Sequence, residues 1–369
     1  MTLTIGVVGG GQLARMMIPA AEALGIEIRV LAETEGSPAQ LAASAVGDYR
    51  DLDVLRTFAR GVDVVTFDHE HVPTDHLEAL VRDGVSVHPG PHALIFAQDK
   101  ARMRERLSTL PIPQPSWELV TTEEEVSGFV AQQGGVAIAK TPRGGYDGKG
   151  VRVIEGAVDI ADWWESGPVL LEQRVRFRRE LAQLVARTPS GEIRVFPLVQ
   201  TTQRDGVCAE VIAPAPDTSS EVKAEASRIA TTIAHELGVT GILAVEMFEA
   251  DDGALFVNEL AMRPHNSGHV FTEGGVTSQF EQHLRAVADW TLGDVSLREP
   301  WAVMVNLFGD AGPRRVQAAL ASSDRVRVHA YGKQPRAGRK AGHVVVCGGD
   351  LEDVLALARA AADPKFSEV

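Results

Sequence analysis

The chain has 369 residues, carries a formal net charge of −14 at pH 7, and is 44% hydrophobic and 23% charged with two cysteines. That length allows two or three domains with a substantial core, and no apolar run approaches the ~20 residues that span a bilayer. The charge argues against a nucleic-acid partner, whose binding depends on neutralising phosphates, and the absence of a leader-like N-terminus and of paired cysteine motifs points to the cytoplasm.

In chain order, Thr4-Ile-Gly-Val-Val8 is a predicted strand, and Gln12 to about Leu24 a helix. Glu27 to Ala32 and Val62 to Phe67 are further strands, a βαβ pattern that implies a parallel sheet. Gly9-x-Gly11-x-x-Ala14 follows the first strand, with Glu33 ending the next, the outline of a dinucleotide fingerprint. A nicotinamide enzyme would leave the loop and hairpin described below without a purpose. The turn is therefore read as a helix N-terminus facing a phosphate or substrate. In Thr66-Phe-Asp-His-Glu-His-Val-Pro73, four ligand-type residues stand in a row, but adjacent strand positions face opposite sides, which speaks against a metal.

The Pro-rich stretch Leu110-Pro-Ile-Pro-Gln-Pro115 punctuates the chain before a predicted strand at Val136 to Lys140. The Gly-rich loop Thr141-Pro-Arg-Gly-Gly-Tyr-Asp-Gly-Lys-Gly150 comes next. Its glycines let backbone N–H groups approach phosphate oxygens, and Arg143, Lys149 and Lys140 at its base add charge. It is not a Walker A loop, since GxxxxGK[ST] is absent. Another strand is expected at Pro168 to Glu172 and a helix from about Ser219 to Leu237.

Ala244 to Glu259 reads as a hairpin, two apolar strand-forming runs flanking Asp252-Gly253, the signal for a two-residue type I′ turn. Counting outward from that turn puts Glu246 directly opposite Glu259, with Cβ atoms ~5 Å apart. Two carboxylates there repel, and Glu246 lies within an apolar run; a divalent cation, magnesium with phosphate oxygens, resolves both problems. Asn258 can join through its carbonyl. Beyond it, Arg263, His265 and Asn266 can hold a small planar anion, since guanidinium offers a rigid donor fork. From Trp301 the pattern is short strands with Gly turns, plus a helix near Leu351 to Ala362.

In this order, Asp99-Lys100, Lys140, the Gly-Gly-Tyr-Asp-Gly-Lys-Gly loop, Glu172-Gln-Arg-Val175, Glu180, Glu246 and Asn258-Glu259 resemble the ATP-grasp enzymes. Within them the chain is similar to the 5-(carboxyamino)imidazole ribonucleotide synthetase family. The carrying residues are Gly9-Gly-Gly-Gln-Leu-Ala-Arg-Met-Met17, the Tyr146-Asp147 loop, Arg263-Pro-His-Asn-Ser-Gly-His269 and Arg339-Lys-Ala-Gly-His343. The resemblance implies a parallel α/β first domain at 1–98, an ATP-binding domain at 99–295 with a lid around 115–175, and a small β-rich domain at 296–369.

Carried over by position, it implies that Lys100 and Lys140 contact ATP phosphates and that Gly145, Tyr146, Asp147, Gly148, Lys149, Gly150 and Val151 close over them. Glu172 and Val175 would hold adenine, with Gln173 and Arg174 also binding ATP, Glu180 would hold the ribose, and Glu246 and Glu259 would carry magnesium. Tyr146 and Asp147 would face the aminoimidazole, with Gln12, Leu13 and Glu70 near the same substrate. Lys333, Arg336, Arg339 and Lys340 would clamp its phosphate. The implied reaction joins bicarbonate to 5-aminoimidazole ribonucleotide at the expense of ATP, through carboxyphosphate, in purine biosynthesis; Asp147 or His265 accepts the amine proton. A cytoplasmic homodimer without nucleic-acid or membrane partners is implied too. The chain departs from the family at Gln200-Thr-Thr-Gln203, where Glu-Asn-x-His is usual. Gln203 can donate a hydrogen bond there but carries no charge. Asp68 and His71 likewise stand where Glu and Asn are more frequent.

Overall fold

The computed structural model describes residues 2–145 and 150–363. The first sheet is parallel and five-stranded, in the spatial order Ala43–Val46, Glu27–Ala32, Thr4–Val8, Val64–Phe67, Ser86–Val87. Every residue of Thr4–Val8 is buried, as expected of a central strand covered on both faces. Helix Gln12–Leu24 ends at Gly25, whose left-handed φ of 66° lets its N–H turn back to the last carbonyls. The strand expected from Val62 begins at Val64, because the Val62 N–H closes the preceding turn on the Ala59 carbonyl.

The second sheet is antiparallel, in the order Trp117–Val120, Val169–Gln173, Ala137–Lys140, Val151–Ile154. Helix Glu123–Gln132 covers it, opened by a capping box of Thr122 and Glu125. This small layer has its own core around Val126, Phe129 and Leu171. The Gly-rich loop joins its two strands Ala137–Lys140 and Val151–Ile154, and Thr141 N–H donates to the Gly150 carbonyl at 2.9 Å.

The third sheet is antiparallel and nine-stranded. Leu255–Ala261 forms one edge, followed by Gly241–Glu249 and Arg179–Arg187. Trp301–Gly309 pairs with Val207–Ala213 and with Arg336–Gly348, so one sheet runs on into the C-terminal part. Those last strands are long rather than short, and helix Pro313–Ala321, which the sequence reading did not anticipate, lies between them. Helix Leu351–Ala362 falls where expected and packs its Val354, Ala358 and Ala361 onto the sheet.

The carboxylate hairpin corrects one expectation while meeting another. Gly253 N–H donates to the Ala250 carbonyl and Ala250 N–H to the Ala254 carbonyl, with Gly253 at φ 84°. This is a three-residue loop, a type I turn closed by a left-handed glycine, not a two-residue type I′ turn. Glu249, Phe248 and Met247 consequently face Leu255, Phe256 and Val257, one step off the expected register. A β-bulge then takes up Asn258 as the extra residue, and Glu246 faces Glu259 after all.

Candidate active site

A cavity of about 1870 Å³ opens where the three sheets meet. The bulge determines what the hairpin contributes to it. In a regular strand Asn258 and Glu259 would point to opposite faces, but here both line the cavity with Glu246. Glu246 Oε1 lies 3.1 Å from His265 Nε2, and Glu259 Oε1 lies 3.2 Å from Lys100 Nζ. Burial alone would raise the Glu246 carboxyl, but the His265 hydrogen bond and positive neighbours more than offset it, leaving the pKa below the usual value.

Lys140 ends strand Ala137–Lys140 and reaches across to Asn258 Oδ1 at 3.0 Å and to Glu172 Oε2 at 2.8 Å. Burial draws the Lys140 ammonium down, with Glu172 opposing. Burial pushes Glu172 up, but Lys140 and Arg104 together hold it below the usual carboxylate range. The carboxylate expected near adenine is thus committed inward, to Lys140 and to the fully buried Arg104. Glu180 differs: burial first, then the charge of Glu246, raise it to about 7, against a hydrogen bond from Gln203.

Lys100, Gly145, Val151, Gln173, Arg174, Val175 and Gln203 all line the cavity. Gly150 is not among the lining residues; at φ +73° it closes the loop, and a Cβ there would meet Thr141 Oγ1 at 2.3 Å. Tyr146, Asp147, Gly148 and Lys149 lie outside the described residues.

On the opposite wall, Arg263 Nε donates to Glu70 Oε2 at 2.6 Å, and Met262 N–H to Glu70 Oε1. Glu70 therefore ties the first sheet's domain to the loop that follows Ala261 and shares its charge with Arg263. His265 is held on both nitrogens, by Glu246 at Nε2 and by the Ser267 hydroxyl at Nδ1, 2.8 Å away. Asn266 lines the cavity with both amide atoms buried, and apart from the Cys208 thiol beside it they meet no partner among the described residues. Such a group calls for a ligand.

Gln12 and Leu13 line the cavity too, and Gln12 Oε1 accepts from Lys333 Nζ. The first turn of their helix faces the cavity, with an N–H on either side of it held by a carboxylate. Gly10 N–H is taken by Glu33 and Ala14 N–H by Asp68, at 3.0 and 2.7 Å. Glu33 and Asp68 thus anchor the turn on both sides, while Gly11, Gln12 and Leu13 between them line the cavity. Lys333, Arg336, Arg339 and Lys340 close this side of the cavity, Lys333 Nζ donating to the Lys340 carbonyl at 3.2 Å.

Three features escaped the sequence reading. Phe177 and Phe248 stack with ring centroids 4.5 Å apart and line the cavity beside Ile138. Phe248 is two residues from Glu246, hence on the same strand face, so period-two counting was the available signal. Tyr331 Oη bridges His343 Nδ1 (2.6 Å) and His269 Nε2 (3.2 Å) in a buried cluster behind the 263–269 loop. Arg104 gave no signal, sitting in the charged run Lys100-Ala-Arg-Met-Arg-Glu-Arg106 that reads as a solvated helix.

Comparison with known proteins matches three domain families along the chain. They are a ribonucleotide synthetase preATP-grasp domain over residues 1–98, an ATP-grasp domain over 105–280, and a phosphoribosylaminoimidazole carboxylase C-terminal domain over 302–357. The N5-carboxyaminoimidazole ribonucleotide synthase of Mycobacterium tuberculosis is 48% identical over 371 residues, covering 97% of this chain and 86% of that protein. The crystal structure of the Thermus thermophilus synthetase is similar with a TM-score of 0.89 at 33% identity, covering 99% of both chains. The Aspergillus clavatus enzyme, in complex with ADP and 5-aminoimidazole ribonucleotide, matches with a TM-score of 0.89 at 30% identity, over 98% of this chain and 97% of that one.

Proposed function

The chain belongs to the N5-carboxyaminoimidazole ribonucleotide synthase family of ATP-grasp ligases, and we propose how its own residues perform that reaction. It carboxylates 5-aminoimidazole ribonucleotide with bicarbonate, consuming ATP, in purine biosynthesis. The observation that carries the residue assignment is the convergence in one cavity of an opposed carboxylate pair, two lysines and the buried amide of Asn266.

ATP lies between the lid sheet and the nine-stranded sheet, its adenine against Phe248 and Ile138. With the Glu172 carboxylate engaged by Lys140 and Arg104, the base meets the backbone of 173–175 rather than a free acid. Glu180 takes the ribose hydroxyls. Lys100 and Lys140 hold the phosphates, Lys140 kept at the γ-position by Glu172 and Asn258.

The donor set of Glu246, Glu259 and the Asn258 carbonyl is all oxygen and suits a hard divalent cation, so magnesium is the proposed metal. Magnesium bound there supplies charge neutralisation across the phosphates. Glu246 and Glu259, which now meet His265 and Lys100, would be the residues that hold it. Arg263 and Asn266 orient bicarbonate. A bicarbonate oxygen attacks the γ-phosphorus, ADP leaves, and Lys140 stabilises the charge on the transferring group. The exocyclic amine takes the carboxyl carbon of carboxyphosphate, or CO₂ released from it, as the carbon–oxygen bond to phosphate breaks. His265 or Asp147 accepts the amine proton. Gln12, Lys333, Arg336, Arg339 and Lys340 hold the ribonucleotide, with Glu70 and Leu13 behind it. We further propose a cytoplasmic homodimer.

Bicarbonate labelled with ¹⁸O tests the chemistry. Label appearing in inorganic phosphate supports carboxyphosphate, and unlabelled phosphate would exclude it.

A further inference from the structure

Arg104 has none of its side chain exposed, yet it holds three hydrogen-bond donors against the catalytic layer. Its Nε donates to Glu172 Oε1 at 2.8 Å, Nη1 to the Val257 carbonyl at 2.7 Å, and Nη2 to the Asn258 carbonyl at 2.8 Å. Consecutive carbonyls of a regular strand point to opposite sides. One guanidinium fork can take two in succession only where the strand is bulged, and Val257–Asn258 is that place. Leu255–Ala261 is also the sheet edge, so no further strand holds these groups. The Val257 N–H is taken by the Pro113 carbonyl instead, and Gln114 beside it donates to the Arg104 carbonyl.

We infer that Arg104 is a positioning residue for the cation site: by gripping both bulge carbonyls it keeps Asn258 and Glu259 on one face, opposite Glu246. This rests on the proposal that the hairpin binds a divalent cation. Arg104 itself does not line the cavity, so it acts through the backbone it holds. Removing its charge leaves Glu172 matched by Lys140 at 2.8 Å, so the substitution need not strand a buried carboxylate.

Two variants test the inference, Arg104→Lys and Arg104→Gln. Lysine keeps the charge but lacks the planar fork, and glutamine keeps a donor without charge. Mn²⁺ binding in the presence of a non-hydrolysable ATP analogue, followed by electron paramagnetic resonance, reads the site without turnover. Wild-type protein should bind Mn²⁺, and Glu259→Gln should not; failure of that pair defeats the hairpin assignment itself. With it in place, both Arg104 variants should bind Mn²⁺ about tenfold more weakly, as expected when the support of a ligand is lost. Their half-saturating magnesium should rise in parallel, while the KM for the ribonucleotide stays at the wild-type value. Unchanged Mn²⁺ affinity, an equal rise in both constants, or loss of the fold in both variants would overturn the inference and leave Arg104 a stabilising residue only.

Discussion

Glu246 and Glu259 face one another in a ladder whose rungs on the turn side are out of step with them. A three-residue turn displaces the register by one residue, and the bulge at Asn258 restores it. The restored pair comes with an advantage a straight hairpin lacks, because Asn258 joins the two carboxylates on the cavity side.

The Glu259→Gln variant should keep the fold, since Glu259 pairs with Lys100 at a partly exposed position. Turnover should fall about a hundredfold or more, as expected from losing several kcal/mol of metal-mediated stabilisation. Circular dichroism with ADP release across a magnesium titration checks it; a native spectrum with full activity contradicts the site.

Phe248 offers adenine a face, and stacking of a base on an aromatic ring is worth ~1–3 kcal/mol. Phe248→Ala should therefore raise the KM for ATP about tenfold. The KM for bicarbonate should not follow, and a matched rise in both would remove the adenine assignment.

Burial, and then the adjacent Glu246, raise the Glu180 carboxyl to about 7. Below that pH it is protonated and loses acceptor capacity for ribose hydroxyls, so the KM for ATP should rise as pH falls through about 7. The Glu180→Gln variant should show no such rise. The sign for stability is opposite to that of a paired carboxylate. Between the ordinary 4.5 and about 7 the folded protein holds a proton the unfolded chain releases. This group's contribution therefore declines as pH increases across that window. Thermal melts of both proteins from pH 5 to 8 check this.

Lys340→Ala should raise the KM for the ribonucleotide about tenfold or more, the scale of a lost charge-assisted hydrogen bond. The KM for ATP should change little. Equal effects would contradict a phosphate clamp on this strand.

Local features of the fold were legible. Strand Thr4–Val8, helix Gln12–Leu24 and helix Leu351–Ala362 follow directly from hydrophobic period and terminal signals. The hairpin was legible as a hairpin, but its turn was not. Asp-Gly serves both a two-residue and a three-residue loop, and only tertiary contacts choose between them. Pairings between distant residues were also hidden. Glu70 and Arg263 lie 193 positions apart, and Asp68 caps a helix 54 positions upstream. Arg104 was least legible of all, because a buried arginine and a solvated one look alike until the two carbonyls it holds are seen. The 146–149 segment, on which part of the substrate assignment rests, lies outside the described residues.

The most direct measurement is ADP release from magnesium-ATP and bicarbonate by purified protein, with and without freshly prepared 5-aminoimidazole ribonucleotide. The account predicts strong stimulation by the ribonucleotide, with one ADP formed for each molecule carboxylated. ADP release indifferent to the ribonucleotide, or none under either condition, would contradict it.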